Sequence, residues 1–434
     1  MYNPTLSGKL LILRFYGRWG KLLKQKNRWL IALSAIAIHL SIGSVYAYSV
    51  FKQPFSNKYG WDSTDVAFSF TIAIFFLGLS TAIFGRFVEK RGPRVSAFVA
   101  AALFSGGMIG AGFSLSIGSL YGFYLTYGAI GGIGLGIGYI SPVSTLVKWF
   151  PDRRGLATGM AVFGFGAGSL IAGPLATRLM NTVGIPSTFY ILGVSYLILM
   201  SLGASYIVRP PEGWSPTNMK ETKADGKVKI RQDLSQMMAN EAVKTSRFWM
   251  LWWMMLINIS AGIMLISVAS PMAQEKVGLT VTAAATMVGL MGLFNGGGRV
   301  GWAAISDYIG RSNVYVIFFV VQLVFFLLLP YITNALLFQI VIFIILTMYG
   351  GGFASLPAFI GDLFGTKQLG AIHGYLLTAW STAGILGPMV VAYIFETTQS
   401  YNTTFYIFAF LIATALVVSL IMRSGIKKQR QSLT

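Results

Sequence analysis

The residues Gly85-Arg86-Phe87-Val88-Glu89-Lys90-Arg91-Gly92-Pro93-Arg94 decide how this chain folds, because they occur twice. The second copy reads Ala303-Ala304-Ile305-Ser306-Asp307-Tyr308-Ile309-Gly310-Arg311 and keeps the acidic residue, the glycine and the basic residue in order. Other pieces repeat around them in step. Ile38-His39-Leu40-Ser41-Ile42-Gly43 is matched by Ile257-Asn258-Ile259-Ser260-Ala261-Gly262, and Pro142 with Trp149-Phe150 is matched by Pro357 with Leu363-Phe364. Gly155 and Gly159 are echoed by Gly370 and Gly374 at the same spacing. Correspondences in this order imply a duplicated unit.

Apolar runs broken by glycine, proline or charge place spans in the first half near 29–54, 64–86, 95–116, 120–147, 155–178 and 187–208. The second half has runs near 248–272, 280–304, 313–333, 336–361, 371–394 and 403–422. Each is long enough to cross a bilayer, for which about 20 apolar residues suffice. The organisation expected is a basic N-terminus (1–28), a six-helix bundle (29–208), a polar linker (209–247), a second six-helix bundle (248–422) and a short tail (423–434). Within the linker, Asp233 to Ala242 reads as a short amphipathic helix on the membrane surface. The fold class is therefore an all-α membrane protein, twelve transmembrane helices in two pseudo-symmetric six-helix bundles. Inverted or parallel repeats of this kind place a solute site between the halves.

Composition agrees. The 434 residues are 55% hydrophobic and 11% charged, against about 25% charged in a soluble protein. Cysteine is absent, which removes disulfides and thiolate metal sites, and no metal or cofactor is implied. The net charge of +20 would suggest nucleic acid if it lay on one surface. Instead Lys9, Arg14, Arg18, Lys21, Lys24, Lys26 and Arg28 precede the first span, and Arg423, Lys427, Lys428 and Arg430 follow the last. Arg86, Lys90, Arg91, Arg94, Lys148, Arg153 and Arg154 fall in alternate loops. This is the distribution that holds basic loops in the cytoplasm, so both termini are expected there, in a bacterial inner membrane. The partners implied are membrane lipid and a small solute, with no nucleic acid and a monomeric chain.

The repeated loop resembles the signature of the major facilitator superfamily, Gly-x-x-x-Asp-Arg/Lys-x-Gly-Arg/Lys, with Glu89 in the acidic place. Gly43-Ser44-Val45-Tyr46-Ala47-Tyr48-Ser49-Val50-Phe51, Trp149-Phe150-Pro151-Asp152-Arg153-Arg154-Gly155 and Asn295-Gly296-Gly297-Gly298-Arg299 resemble the oxalate:formate antiporter family, a relation of the monocarboxylate carriers. The resemblance implies the major facilitator fold and an essential arginine at Arg299. It places Tyr46, Tyr139 and Tyr349 around the substrate, with Phe353 in another such place. The oxalate carriers use a second cation, a lysine in the eleventh helix, where this chain has Trp380. The resemblance also gives Glu89, Arg94, Asp307 and Arg311 a gating role, the acidic residues capping neighbouring helix starts.

Arg299 is the one charged side chain at membrane depth in any span, roughly 12 Å of helical rise from Asp307. A cation there faces a water-filled cavity or an anion, because a bare one costs several kcal/mol. Its planar fork matches a carboxylate with two hydrogen bonds. His39, also deep, reads as a switchable cation, a proton-coupling group or a hydrogen-bonded structural residue, and His373 as structural. No carboxylate pair, metal cluster or nucleophile with its base lies at membrane depth, which speaks against an enzyme. The leading expectation is a carrier of small carboxylates that works by anion exchange and prefers monoanions, since Trp380 supplies no second charge. A proton-coupled monocarboxylate symporter and a non-transporting sensor on the same fold are the alternatives. Arg299→Lys keeps the charge and loses the fork, so uptake by reconstituted protein is expected to fall to background. Unchanged size-exclusion behaviour would confirm that folding is intact.

Overall fold

A computed structural model describes residues 26–211, 214–216 and 233–431. The basic residues Lys9 to Lys24 and the linker charges Lys220 to Lys229 lie outside the described residues. In the first half α1 is Arg28–Ile42, continued by a 3-10 stretch Gly43–Phe51 and a helical turn Lys52–Tyr59. It is followed by α2 (Ser63–Arg91), α3 (Pro93–Ser116), α4, α5 (Arg154–Val183) and α6 (Ile185–Tyr206). Helix α4 combines Leu120–Phe123, a π-helical segment Tyr124–Gly131 and Gly132–Trp149. The second half comprises α7 (Ser246–Val277), α8 (Val281–Ile309), α9 (Arg311–Leu328), α10 (Ala335–Phe364), α11 and α12 (Tyr401–Gln431). Helix α11 is interrupted at Leu377, between Leu369–Leu376 and Thr378–Thr398.

The sequence starts and stops these helices by local chemistry. Asn27, Thr245, Thr280 and Asn334 accept hydrogen bonds from backbone N–H groups in the first turns of α1, α7, α8 and α10, satisfying donors that have no partner inside the helix. The duplicated loop has a backbone reason for its invariant glycine. Gly92 (φ 85°) ends α2 and starts α3, and Gly310 (φ 93°) does the same between α8 and α9, a region that side chains with a Cβ avoid.

Eleven helices among the described residues are long and apolar enough to cross a membrane. The exception is α8, where Asn295, Gly296, Gly297, Gly298 and Arg299 interrupt an otherwise apolar run. Its length and its place within the bundle make it the twelfth span. Each half is built from the same three pairings. In the first, α3 packs on α6, α2 on α4 and α1 on α5; in the second, α9 packs on α12, α8 on α10 and α7 on α11. The seam between halves is symmetric too, with α5 against α8 and α2 against α11.

Several hydrogen bonds join the bundles in the half of the seam nearer the linker. Thr158 Oγ1 donates to the Ala354 carbonyl at 2.7 Å and Thr81 Oγ1 to that of Gly374 at 3.3 Å. Small residues make this approach possible. A Cβ on Gly155 would stand 2.0 Å from the Ala303 carbonyl oxygen, and one on Gly374 would stand 2.0 Å from that of Thr81. The protein is therefore closed at the face that carries the linker.

The linker departs from expectation. Only Ala239–Ala242 is helical, and the preceding residues from Asp233 run as a non-helical strap. Leu234 N and Met237 N donate to the carbonyls of Asp362 and Phe364, and Ser235 Oγ donates to that of Leu363. Those are carbonyls orphaned at the end of α10, and supplying them with donors outcompetes an amphipathic helix lying on lipid.

Gly374→Val tests the closed seam. Overpacking of this kind costs about 1–3 kcal/mol, enough to move a two-state equilibrium about tenfold or more. With no native cysteine to mask, a cysteine introduced on α4 near the linker face is expected to react faster with a membrane-impermeant maleimide in the Gly374→Val background. Equal rates would mean that the seam absorbs the added methyl groups without opening.

Candidate functional site

Arg299 projects from α8 into the seam and is 3% exposed. Nη1 donates to the Val162 carbonyl of α5 at 3.0 Å, and Nε donates to Asn295 Oδ1 one turn back at 3.1 Å. It forms no salt bridge among the described residues. The open aqueous exposure anticipated for this group is thus corrected: neutral oxygens of α5 and α8 hold it, because the bundles are shut around it. Two neutral acceptors orient a guanidinium but leave its charge unbalanced.

Aromatic rings from both bundles enclose the cation. The Phe353 ring centroid lies 5.8 Å from Arg299 Cζ. Trp380, just beyond the break in α11, packs on Phe353 at 4.7 Å, Tyr139 at 5.6 Å, Phe165 at 6.0 Å and Tyr46 at 6.4 Å. Tyr349 packs on Phe353 at 5.6 Å. The hydroxyl of Tyr139 is buried with no hydrogen-bond partner, and that of Tyr46, also buried, lies within hydrogen-bonding reach of Arg299 and Tyr349. Buried hydroxyls are normally bonded, so an orphaned donor beside an unbalanced cation marks a polar cluster inside an aromatic shell.

The fold brings Arg299, Tyr46, Tyr139, Tyr349, Phe353 and Trp380 together. It does not bring His39 in with them as a second cation. His39 is fully buried behind Tyr139, its Nδ1 2.8 Å from the Ala161 carbonyl and its Nε2 3.1 Å from that of Tyr139. Its ring stacks on Tyr139 with centroids 5.2 Å apart. Both ring nitrogens face carbonyls of their own bundle, to one of which a neutral imidazole donates and to both of which only the charged form does, and the ring ties α1 to α4 and α5. Its repeat mate Asn258 is similarly occupied, accepting from Gln322 Nε2 at 2.8 Å. Tyr48 belongs to packing, its hydroxyl bonded to the Val66 carbonyl at 2.6 Å and to Ser69.

Nearer the linker, Glu89 Oε1 accepts from Gly370 N at 2.7 Å, at the start of α11, while Oε2 pairs with Lys148 Nζ at 2.8 Å. Asp307 accepts from Gly155 N at 2.9 Å and Leu156 N at 3.0 Å, at the start of α5. Each carboxylate thus reaches across the seam to a helix N-terminus, where backbone donors and the helix dipole favour negative charge. Arg311 pairs with Asp307 and, through Nε at 3.5 Å, with Asp362. Arg94 is exposed and makes no hydrogen bond or ion pair among the described residues, and the cation at Glu89 is Lys148.

Sequence reasoning missed several partners. Arg154 joins Asp233 of the strap at 2.6 Å and Asp362 of α10 at 3.3 Å, and Arg209 donates to the Val88 carbonyl at 3.1 Å. Those charges read only as loop topology. Phe165, the bulky residue between Gly164 and Gly166, was the available signal for a ring aimed at the chamber.

Two six-helix bundles that meet around a buried, unbalanced cation are the architecture of a membrane transporter. The chain belongs to the Major Facilitator Superfamily, whose family model matches residues 31–357 and 261–433. It is 30% identical over 404 residues to the oxalate:formate antiporter of Oxalobacter formigenes, covering 92% of this chain and 93% of that one. It is 31% identical over 365 residues to an uncharacterized MFS-type transporter of Escherichia coli strain K12, covering 83% and 87%. Among solved structures it is similar to a fucose transporter of the superfamily in its outward conformation, with TM-score 0.71, 12% identity, and 90% and 98% of the chains covered.

Tyr139→Phe removes a hydroxyl that has no protein partner. Thermal stability without added anion is expected to stay level or rise by up to about 1 kcal/mol, the net size of one hydrogen-bonding group. A clear loss in differential scanning fluorimetry would show that the hydroxyl is bonded within the protein after all.

Proposed function

We propose that this transporter carries small monocarboxylates, such as formate, lactate or pyruvate, by alternating access and exchanges one anion for another across a bacterial inner membrane. The observation that carries this reading is Arg299, a buried guanidinium with only neutral oxygens as partners. An arriving carboxylate takes the unbonded edge of that fork and accepts from the hydroxyls of Tyr46 and Tyr139. The apolar walls of Phe353, Phe165 and Trp380 enclose its small body. Trp380 offers no second positive charge, so a dianion in the same chamber would keep one charge uncompensated in a low-dielectric site.

The same electrostatics support exchange. An empty chamber must cross its closed state with Arg299 unbalanced, whereas a loaded one crosses neutral. Return loaded with another anion is therefore easier than return empty. The relative named for oxalate and formate is described as an antiporter, which agrees with this reading.

The gate in this proposal is the pair of capped helix starts. Opening toward the linker breaks the bonds from Gly370 N to Glu89 and from Gly155 N and Leu156 N to Asp307, together with the Arg154–Asp362 pair. With the basic loops in the cytoplasm, as their distribution favours, the closed seam faces inward.

Counterflow in proteoliposomes tests the proposal. At about pH 7.5, where imidazoles are mostly neutral, vesicles preloaded with pyruvate are expected to take up labelled pyruvate or formate well and oxalate poorly. Good oxalate exchange with no exchange of short monocarboxylates would overturn the substrate assignment. Strong uptake into vesicles free of internal anion, driven by a pH gradient, would overturn exchange.

A further inference from the structure

Several basic side chains on the linker face are matched with acids. Arg28 meets Asp152, Lys148 meets Glu89, Arg154 meets Asp233 and Asp362, and Arg311 meets Asp307 and Asp362. Arg86 of α2 is different. It is exposed, and its partners among the described residues are neutral. Nη2 donates to Asn240 Oδ1 in the helical turn of the linker, and Cζ lies 6.0 Å over the Tyr375 ring of α11. Arg86 therefore reaches from the first bundle across the seam to the linker and the second bundle.

Tyr375 is also one wall of a groove of about 210 Å³ between the linker turn, the first turns of α7 and the break in α11. The other walls are Val243, Phe248, Trp249, Trp252 and Thr378. Their polar atoms are already spent. Trp249 Nε1 donates to the Val243 carbonyl at 2.9 Å, Trp252 Nε1 donates to Thr378 Oγ1 at 2.9 Å, and that hydroxyl donates to the Tyr375 carbonyl at 2.7 Å. The groove thus offers an occupant chiefly apolar surface. Trp249 is 53% exposed in the first turn of the α7 span, a place where indoles mark the membrane–water interface.

Positive charge gathers around this groove. Lys244 follows Val243 and Arg247 precedes Phe248, and neither makes an ion pair among the described residues. The acidic residue nearest in sequence, Glu241, turns back to cap its own turn, Oε2 accepting from Met238 N at 2.8 Å.

We propose that the groove binds an anionic phospholipid, with the phosphate on Arg86 and an acyl chain along Tyr375, Trp252 and Trp249. Charge complementarity selects the headgroup. A guanidinium meets phosphate oxygens with parallel N–H donors, and a zwitterionic lipid, which brings its own cation, gains less from basic side chains near the surface. The apolar walls select a lipid over a soluble anion, which would leave them uncovered. Arg86 belongs to the first bundle and the groove to the linker and the second, so the bound lipid spans the contact between α2 and α11. A ligand that touches both sides favours the state in which they are together, here the one closed at the linker face. The site is separate from Arg299, and its failure would leave the carboxylate reading untouched.

Native mass spectrometry of the intact protein, released from detergent holding equal amounts of dioleoyl phosphatidylglycerol and dioleoyl phosphatidylcholine, tests the site. Phosphatidylglycerol is expected to be retained in preference by about fivefold or more, the effect of a single well-placed charge. In R86Q the preference is expected to fall below about twofold. N240A removes the neutral partner and keeps the cation, while R153Q removes an exposed charge from another loop on the same face. Both are expected to keep the wild-type preference. Glycerophosphoglycerol, the headgroup without its chains, is expected not to displace the lipid.

A wild type without preference would overturn the proposal, and so would a preference that R86Q retains or R153Q loses, either of which makes it an effect of overall charge. Its loss in N240A would trace it to the linker turn instead of the cation, and displacement by the bare headgroup would remove the groove as the seat of the lipid. The hold on the seam is read in nanodiscs of phosphatidylcholine alone or with about one-third phosphatidylglycerol. Maleimide labelling of a cysteine on α4 near the linker face is expected to slow about threefold or more with phosphatidylglycerol in the wild type and to change little in R86Q. Equal slowing in both would overturn the claim that the lipid holds the bundles together.

Discussion

The structure depends on one unbalanced charge. Arg299 is held between α5 and α8 by a carbonyl and an amide oxygen, both neutral, at a depth where water is scarce. Neutral acceptors fix the direction of the guanidinium without cancelling its field. That field reaches Tyr46, Tyr139, Tyr349 and His39. It makes an anion the natural occupant of the space they enclose. The bond from Arg299 to the Val162 carbonyl also crosses the seam, so an anion that takes over part of the guanidinium weakens a contact between bundles. In the proposed transport cycle, binding and opening are coupled through this side chain.

The remaining seam contacts obey the same economy of charge. Glu89 and Asp307 each satisfy backbone donors at the start of a helix in the other bundle, in pseudo-symmetric places. Helix starts are good partners for a reversible latch. Their N–H groups are orphaned by the helix geometry and can be rehydrated when the bundles part. The close backbone approach at Gly155 and Gly374 adds a steric condition, since the capping distances exist only while α5 lies on α8 and α11 on α2.

In the proposed function the aromatic shell adds selection by size and valence to the charge of Arg299. Trp380 contacts rings from α1, α4, α5 and α10 at the break in α11, where it fills volume without adding charge. The Tyr139 hydroxyl, without a partner, is a stability liability in the empty protein. Its place beside Arg299 is understandable if an anion completes it.

Much of this was legible in the residue order. Hydrophobic runs, loop charges and the duplicated Gly92 and Gly310 turns determined twelve helices in two related halves, because span length and positive-φ turns are local constraints. The depth of Arg299 also followed from spacing alone. Which groups meet across the seam did not, because contacts between residues more than a hundred positions apart depend on how two bundles dock. Tertiary structure alone decided that His39 is consumed by the carbonyls of its own bundle while His373 is left without partners. It decided that Lys148, and not Arg94, serves Glu89, and that the strap from Asp233 caps α10 instead of lying on lipid. The physical reason is the same in each case: a chain's periodicity states which face is apolar, but a polar atom's partner is whichever group the packing carries within hydrogen-bond distance.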